Sequence, residues 1–231
     1  VDFVAVSFVR NASDIKTVRD LVPNDIKVIA KIELKAALDN IAEILDVADG
    51  VMVARGDLGV QLPLEQVPFV QKQILDAANK KGKISITATE MLQSMKSSYR
   101  PTRAEVTDIT NAILEGSDAV MLSAETSIGD NPNRVVEVMS LICKETDSKN
   151  DTSSLLSKEN TSEDSTATLA RAAVQVANEI QAKAIVAFTE TGRTPLLISN
   201  FRPQAEIITF STKKKTLNQM NLLWGVVQYP M

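Results

Sequence analysis

Five short apolar segments, each followed by a helical pattern, constrain the fold of this chain more than any other feature of the sequence. Each segment is bounded by polar residues and is too short for a buried helix. Runs of this kind predict strands that are buried on both faces of a parallel sheet. The five predicted strands are Phe3–Phe8, Val28–Ile32, Gly50–Ala54, Ile84–Ala88 and Ala119–Leu122.

A helical pattern follows every predicted strand. Apolar residues recur at helical spacing, Pro101 falls in the first turn of one predicted helix, and Gly82 and Gly116 are typical stop signals. A strand–helix unit repeated five times indicates an α/β protein with a parallel sheet. The predicted helices are Asn11–Leu21, Leu34–Val47, Leu64–Lys81, Thr102–Glu115 and Asn131–Lys149.

Every predicted strand ends in polar side chains. In a (β/α)₈ barrel, catalytic groups come from the carboxyl ends of several strands, whereas a doubly wound sheet concentrates its site at one switch point. The pattern therefore favours a partial TIM barrel, and three more strands upstream would be needed to close it. The polar residues are Ser7 and Arg10, Lys31 and Glu33, Arg55 and Asp57, Thr87 and Thr89, and Ser123 and Glu125.

A polar stretch, Thr146–Ser165, predicts a linker before a second α/β segment. We therefore expect two domains, residues 1–149 and 150–231.

The first residue is Val1, with no initiator Met, and the chain stops before a convincing terminal cap, so we expect both ends to lie within a larger protein. The second segment predicts helices at Thr166–Gln181, from Pro195 and at Thr216–Leu223, strands at Ala184–Phe188 and Glu206–Phe210, and a last apolar run, Gly225–Met231.

Composition excludes several kinds of chemistry. The 231 residues include no histidine, which rules out imidazole bases and histidine metal ligands. The single Cys143 rules out an internal disulfide and fits a reducing, cytoplasmic setting. A net charge of −4 without dense basic tracts disfavours nucleic-acid binding, and no apolar run approaches the roughly 20 residues that span a bilayer. The remaining carboxylates, Lys, Arg, Ser and Thr suit hard metal ions and phosphate.

Lys31 and Glu33 form the strongest candidate site. Strand alternation places both side chains on the same side of the second strand, and Asp57 follows the third strand. Carboxylates on two adjacent strand ends suit Mg²⁺ or Mn²⁺, and a metal beside a lysine is suited to stabilising a phosphoryl group during transfer. The alternative is a structural ion network within a polar layer of the barrel.

Five motifs give the chain its resemblance to a known family. In this order and at this spacing they resemble pyruvate kinase, over the last five strands of the barrel domain and, more weakly, over the C-terminal α/β domain. The motifs are Ala30–Glu33, Val53–Gly59, Ala88–Met95, Arg100–Val106 and Val120–Thr126.

The resemblance implies an activity and a role for each site residue. The activity would be phosphoryl transfer from phosphoenolpyruvate to ADP, which gives pyruvate and ATP. Glu33 and Asp57 would hold Mg²⁺ or Mn²⁺, and Lys31 would stabilise both the phosphoryl group and the enolate. The turn Arg55-Gly56-Asp57 would offer backbone N–H groups to the substrate carboxylate. Thr89, Ser123 and Glu125 would belong to the relay that protonates the enolate.

The resemblance also implies partners and missing parts. The family is typically a homotetramer and depends on K⁺, whose ligands would lie outside this chain. The substrate-phosphate arginine, much of the nucleotide site and the lid domain would also lie upstream, so we expect the 231-residue chain alone to be inactive. Two departures from the family are Glu90, where Gln is usual, and Ala124, where Gly is usual. The charge of Glu90 could lower activity, whereas Ala124 adds only a methyl group.

A loop in the second domain resembles the site at which regulated members bind a sugar-phosphate activator. Its hydroxyls, its glycine and the following helix start suit a phosphate. Alternatively, Thr194 merely caps the helix that Pro195 leads. Glu190 would repel a phosphate, so we expect a weak or absent response to fructose bisphosphate. The loop residues are Thr189, Thr191, Gly192, Arg193 and Thr194.

Two other functions are compatible with the residues alone. A lyase could use Lys31 as a Schiff-base amine, although two nearby carboxylates disfavour the neutral lysine that this chemistry requires. A catalytically dead scaffold or interaction module is the other alternative.

Overall fold

The computed structural model describes residues 1–149 and 165–231. Their contacts form two compact units. One unit contains Val4–Lys81 and residues 85–149, and the other contains Val1–Phe3, Gly82–Ile84 and residues 165–231. Most of the predicted linker lies outside the described residues.

The first sheet has five strands in the order β1-β2-β3-β4-β5. Strand β2 runs parallel to β3, with Ile32 opposite Val53, and β4 runs parallel to β5, with Ala88 opposite Met121. Chain neighbours are therefore sheet neighbours throughout, as in a barrel, and the order never reverses as it does in a doubly wound sheet. The strands are β1 (Phe3–Val6), β2 (Lys27–Ile32), β3 (Gly50–Ala54), β4 (Ile84–Ala88) and β5 (Ala119–Met121).

Helices follow these strands as predicted, with differences in detail, including an unpredicted short helix over Ala124–Ser127. The predicted helix Leu34–Val47 is two helices that meet at Asn40, and a short helix over Arg55–Gln61 was not predicted because its glycines suggested a turn. A 3₁₀ turn, Leu64–Gln66, precedes the long helix that follows β3. The helices are α1 (Ala12–Arg19), α2 (Lys35–Asp39), α3 (Ile41–Val47), α4 (Arg55–Gln61), α5 (Val67–Lys80), α6 (Arg103–Leu114), α7 (Ala124–Ser127) and α8 (Pro132–Lys149).

The two predicted glycine stop signals are found at helix ends, but the predicted place of Pro101 is not. Thr102 is the N-cap of α6 and forms a capping box with Glu105, so Pro101 lies before the helix and the prediction that it occupies the first turn is wrong. Gly82 (φ 61°) and Gly116 (φ 102°) follow the last residues of α5 and α6 in the left-handed conformation that favours glycine, which confirms them as stop signals.

The core of this unit lies between the strands and the helices around them. All five residues of β3 and all five of β4 are buried, as expected for strands covered on both faces. One apolar cluster joins Val28 and Val51 to Ile44 and Leu75, and a second packs Ile109 of α6 against Val135 of α8. These clusters fix the carboxyl ends of the strands, where the candidate site lies.

The second unit is a smaller parallel α/β layer. Its strands pair in the order β6-β7-β8, and its core includes Val174, Leu197 and Ile207. The predicted strands are confirmed, and the terminal apolar run forms the last one. The elements are α9 (Ser165–Glu179), β6 (Ala184–Phe188), α10 (Arg193–Ser199), β7 (Glu206–Ser211), α11 (Lys214–Met220) and β8 (Val226–Pro230).

None of the helices in the described parts of the chain combines the length and the apolar character needed to cross a membrane.

Candidate active site

Lys31 and Glu33 form an ion pair at the carboxyl end of β2. The Lys31 Nζ lies 2.6 Å from Glu33 Oε1 and donates a hydrogen bond to Ser7 Oγ at 2.9 Å. Glu33 is 1% exposed, and its Oε2 accepts from the backbone N–H of Phe8 at 2.5 Å. Both side chains therefore lie on one side of the strand, as alternation predicts, and both also hold the end of β1.

The start of α4 and the end of β4 are joined through Thr89. The backbone N–H of Gly56 donates to Thr89 Oγ1 at 2.9 Å, and this hydroxyl donates to the Ala88 carbonyl at 2.6 Å. A Cβ added to Gly56 would lie 3.5 Å from Thr89 Oγ1, an ordinary contact distance. Two residues predicted for the site from separate motifs thus touch directly.

The side chain of Arg55 points away from solvent and is 7% exposed. Its Nε and Nη2 donate to the Thr89 and Glu90 carbonyls, and its Nη1 donates to both carboxylate oxygens of Asp108. The substrate role predicted for Arg55 can therefore involve its backbone, because its side-chain nitrogens already have protein partners.

Ser123 and Glu125 form a third group, after β5. The carboxylate of Glu125 is fully buried and accepts from the Ser123 backbone N–H at 2.8 Å, the Ser123 hydroxyl at 3.3 Å and the Leu92 backbone N–H at 3.2 Å. Burial raises the pKa of Glu125, but these bonds and one from its own backbone outweigh burial and lower the pKa below its usual value. Glu125 is therefore an ionised, fixed acceptor.

The carboxylates present fit a divalent cation that also binds substrate. Glu33 and Asp57 follow adjacent parallel strands, and Asp57 is exposed in the first turn of α4. Carboxylate oxygens are the ligands that Mg²⁺ and Mn²⁺ prefer. No cluster of three or more His, Cys, Asp or Glu side chains suited to a metal occurs within residues 1–149 and 165–231. Glu33 and Asp57 would therefore supply only part of the ligand shell of such a cation.

Comparison with known proteins agrees with this arrangement. A family model described as the pyruvate kinase barrel domain matches residues 1–136, and one described as the pyruvate kinase alpha/beta domain matches residues 167–231. The chain belongs to the pyruvate kinase family. The partial TIM barrel followed by an α/β C-terminal domain is thereby confirmed.

Individual pyruvate kinases are similar over the whole chain. Those of Sporosarcina psychrophila and Staphylococcus saprophyticus are 43% and 46% identical over 100% and 98% of the chain. A crystal structure of a pyruvate kinase from Cryptosporidium parvum superposes with a TM-score of 0.97 at 39% identity and covers all of the chain. The chain spans 40% of the length of these two bacterial relatives and 50% of the Cryptosporidium chain.

In the loop that resembles an effector site in pyruvate kinases, several groups are already bonded to one another or to neighbouring residues. Thr189 Oγ1 accepts from the Gly192 backbone N–H at 2.9 Å, and Gly192 (φ 80°) is the N-cap of α10. The alternative in which Thr194 caps this helix is therefore wrong, because the helix already begins at Arg193. The exposed Glu190 carboxylate pairs with Lys213 at 3.2 Å and accepts from Thr212. Hydrogen bonds from these two groups lower the pKa of Glu190, so it is ionised at neutral pH.

Sequence reasoning missed one residue of the site, Asp108. It lies in α6, 53 positions after Arg55, and no motif connects the two. Only its spacing of four positions from the apolar Ala112 in a predicted helix could have indicated which way it faces.

Proposed function

We propose that a full-length protein carrying this segment transfers a phosphoryl group from phosphoenolpyruvate to ADP. The observation that supports this most directly is the Lys31–Glu33 pair at the end of β2, beside the turn that contains Asp57. A fixed cation and two hard carboxylates suit a reaction that depends on positioning and charge stabilisation. Because this mechanism needs no imidazole, it is compatible with a chain that contains no histidine.

In this proposal each group at the strand ends acts on one part of the substrate. Lys31 stabilises the charge of the transferring phosphoryl group and of the enolate. Glu33 and Asp57 would hold Mg²⁺ or Mn²⁺, which would supply positive charge to neutralise substrate oxygens. The turn Arg55-Gly56-Asp57 presents backbone amides to the substrate carboxylate.

Protonation of the enolate is assigned to the groups after β4 and β5. Thr89 places a hydroxyl beside Gly56, close to where the substrate carboxylate would bind. Ser123 would belong to the proton path. The contacts of Glu125 support a narrower role than direct proton delivery, because its buried carboxylate already holds the Ser123 amide and hydroxyl.

The remaining properties are proposed from membership of the family. These are dependence on K⁺ with ligands outside this chain, a homotetramer, a cytoplasmic location and inactivity of the 231-residue segment alone. The domain boundary between residues 149 and 150 is also a proposal. The Thr189, Thr191, Gly192, Arg193 and Thr194 loop is proposed as a weak sugar-phosphate site at most, because Glu190 adds a negative charge beside it.

The test compares two lysines of the same strand. Lys31→Met removes the proposed catalytic cation, and we expect kcat for phosphoenolpyruvate to fall by about a thousandfold. Lys27→Met is the matched control, because Lys27 pairs with Asp49 at the opposite end of β2. Equal activity in the two variants would contradict the proposal. Borohydride trapping of a carbonyl substrate on Lys31 would instead support the Schiff-base lyase.

A further inference from the structure

We propose that Arg55 and Asp108 form a positioning pair that fixes the conformation of the Thr89–Glu90 turn. The pair thereby holds the Thr89 hydroxyl in the position from which it would assist the reaction. This inference rests on the proposed function, in which Thr89 assists protonation of the enolate. The pair contacts the Thr89–Glu90 turn, and neither side chain is assigned to touch substrate.

The guanidinium of Arg55 bonds the turn through its backbone. Its Nη2 donates to the Thr89 carbonyl at 2.6 Å and to the Glu90 carbonyl at 3.1 Å, and its Nε donates to the Thr89 carbonyl at 3.2 Å. Carbonyl oxygens are present whatever the side chain at position 90. The replacement of the usual Gln by Glu90 therefore leaves these bonds unchanged.

The turn needs such support because its backbone is strained. Thr89 and Glu90 have φ values of 70° and 55°, and both lie in the left-handed region. This conformation is costly for any residue with a Cβ and is rare for a β-branched threonine. It persists only where surrounding contacts impose it. The donors of Arg55 supply contacts of that kind.

The carboxylate of Asp108 makes it possible to bury the Arg55 guanidinium. Its Oδ1 and Oδ2 lie 2.7 and 2.6 Å from Arg55 Nη1, while the Arg55 side chain is only 8% exposed. The Asp108 side chain is 39% exposed, so only the arginine side of the pair is buried. Removing Asp108 would leave the buried guanidinium without its carboxylate partner. A lysine has no planar fork with which to bind two carbonyls and a carboxylate together. Both residues are therefore required for the same geometry.

Loss of the pair should affect one step of the reaction, protonation of the enolate, more than the others. After the phosphorus–oxygen bond of phosphoenolpyruvate breaks, the enolate gains a proton at its methylene carbon, which forms the new C–H bond while the ketone is restored. Thr89 is proposed to act in that protonation, whereas Lys31 and the carboxylates act on the phosphoryl group. Loosening the turn should therefore impair protonation more than it impairs substrate binding.

The experiment uses the full-length protein carrying this segment with Asp108→Asn, Arg55→Lys and the conservative Asp108→Glu. The first readout is the exchange of the pyruvate methyl protons with deuterated water, measured beside kcat and KM for phosphoenolpyruvate. The second is amide hydrogen exchange at Gly56, whose N–H is bonded to Thr89 Oγ1. Asp49→Asn is the matched control, because it breaks an Arg19–Asp49 pair at the start of β3, at the opposite strand ends from the site.

We expect Asp108→Asn and Arg55→Lys to lower methyl-proton exchange by about tenfold to a hundredfold, with KM changed less than about threefold. Exchange of the Gly56 amide should accelerate by about tenfold, and Asp108→Glu should partly restore both values. Asp49→Asn should reduce stability without these two effects. Wild-type methyl-proton exchange in both Asp108→Asn and Arg55→Lys would overturn the proposal, and so would unchanged protection of the Gly56 amide. The amide readout needs no turnover, so an unperturbed Gly56 amide in both variants overturns the pair even if the full-length protein lacks kinase activity.

Discussion

Two buried carboxylates of the site are stabilised in different ways. Glu33 is paired with a cation, Lys31, and also accepts from the Phe8 backbone N–H, whereas Glu125 accepts hydrogen bonds from Ser123 and Leu92. The ion pair brings a positive charge to the site, whereas the hydrogen-bond donors around Glu125 stabilise its ionised form without adding a charge. Within the proposed function, the first arrangement is suited to charge stabilisation and the second to positioning.

Gly56 offers a test at the scale of one methyl group. Gly56→Ala would place a Cβ 3.5 Å from Thr89 Oγ1 without a severe clash, so the protein should fold normally. The methyl group would nevertheless occupy space beside the proposed catalytic hydroxyl and the substrate carboxylate. We expect kcat/KM for phosphoenolpyruvate to fall by about tenfold or more, measured by steady-state kinetics.

Gly59→Ala is the control for that prediction. It adds the same methyl group to the same helix, but toward the flexible end of Leu64, 3.2 Å away. Its kinetic constants should match the wild type. If both variants keep wild-type kcat/KM, the Gly56 backbone does not approach the substrate.

The strands could be predicted closely from the sequence because burial on both faces leaves a clear pattern. The bounds of β3, β4 and β6 agree with the predicted Gly50–Ala54, Ile84–Ala88 and Ala184–Phe188. The helix break at Asn40 and the helix α4 were missed, because they depend on tertiary contacts. Arg55 and Leu58 are buried in α4, which outweighs the low helix propensity of its glycines.

The site was predictable where it depended on strand alternation and unpredictable where it depended on distant partners. Alternation alone places Lys31 and Glu33 together. The direction of the Arg55 side chain depends on Asp108 and on the positive φ of Thr89, neither of which leaves a local signal. Motifs therefore identify candidate residues. Only the structure shows that the side chain of Arg55 is bonded to protein groups, so that a substrate role would fall to its backbone.

Glu105 connects two elements and gives a pH-dependent prediction. Its carboxylate accepts from Thr102 in the capping box and from the backbone N–H and hydroxyl of Ser94, at 2.7 and 2.6 Å. Burial raises the pKa of Glu105, but these bonds together outweigh burial and lower it below its usual value. The stabilisation is therefore fully present above the unfolded pKa of about 4.3 and is lost as pH falls through the lower folded pKa.

We expect Glu105→Gln in the full-length protein to lower the free energy of unfolding by about 1–2 kcal/mol at pH 7, because an amide replaces a charged acceptor. The difference from wild type should shrink below about pH 4, as Glu105 itself becomes protonated. Urea titrations at pH values from 7 to 3 measure this difference in the free energy of unfolding. Glu137→Gln, at an exposed pair with Arg134, should change stability by less than about 0.5 kcal/mol. A difference that does not decrease at all between about pH 5 and pH 3, the range that spans the unfolded pKa, would contradict the ionic explanation.

At the scale of the whole molecule, the two units place polar groups at strand ends with different consequences. In the barrel unit, groups from neighbouring strands meet as pairs, such as Lys31 with Ser7 and Gly56 with Thr89. In the second unit, the loop after β6 directs its hydrogen bonds inward, with Thr189 bound to Gly192. The first arrangement is suited to a reaction. In the second, Thr189 is already bonded within the loop, so the proposal of a sugar-phosphate site depends largely on the charges of the loop.

Glu190 therefore determines the expected response to a sugar bisphosphate. Its ionised carboxylate lies in the proposed effector loop and also engages Lys213. Glu190→Gln removes the repulsion and frees the Lys213 ammonium, so fructose 1,6-bisphosphate should bind the full-length protein about tenfold more tightly, as measured by calorimetry. The gain should diminish at high salt, because exposed charges are screened. Glu206→Gln removes an exposed carboxylate at the opposite end of β7 and should leave affinity unchanged. An equal gain in both variants would attribute the effect to net charge, and strong binding by the wild type would refute the inhibitory role of Glu190.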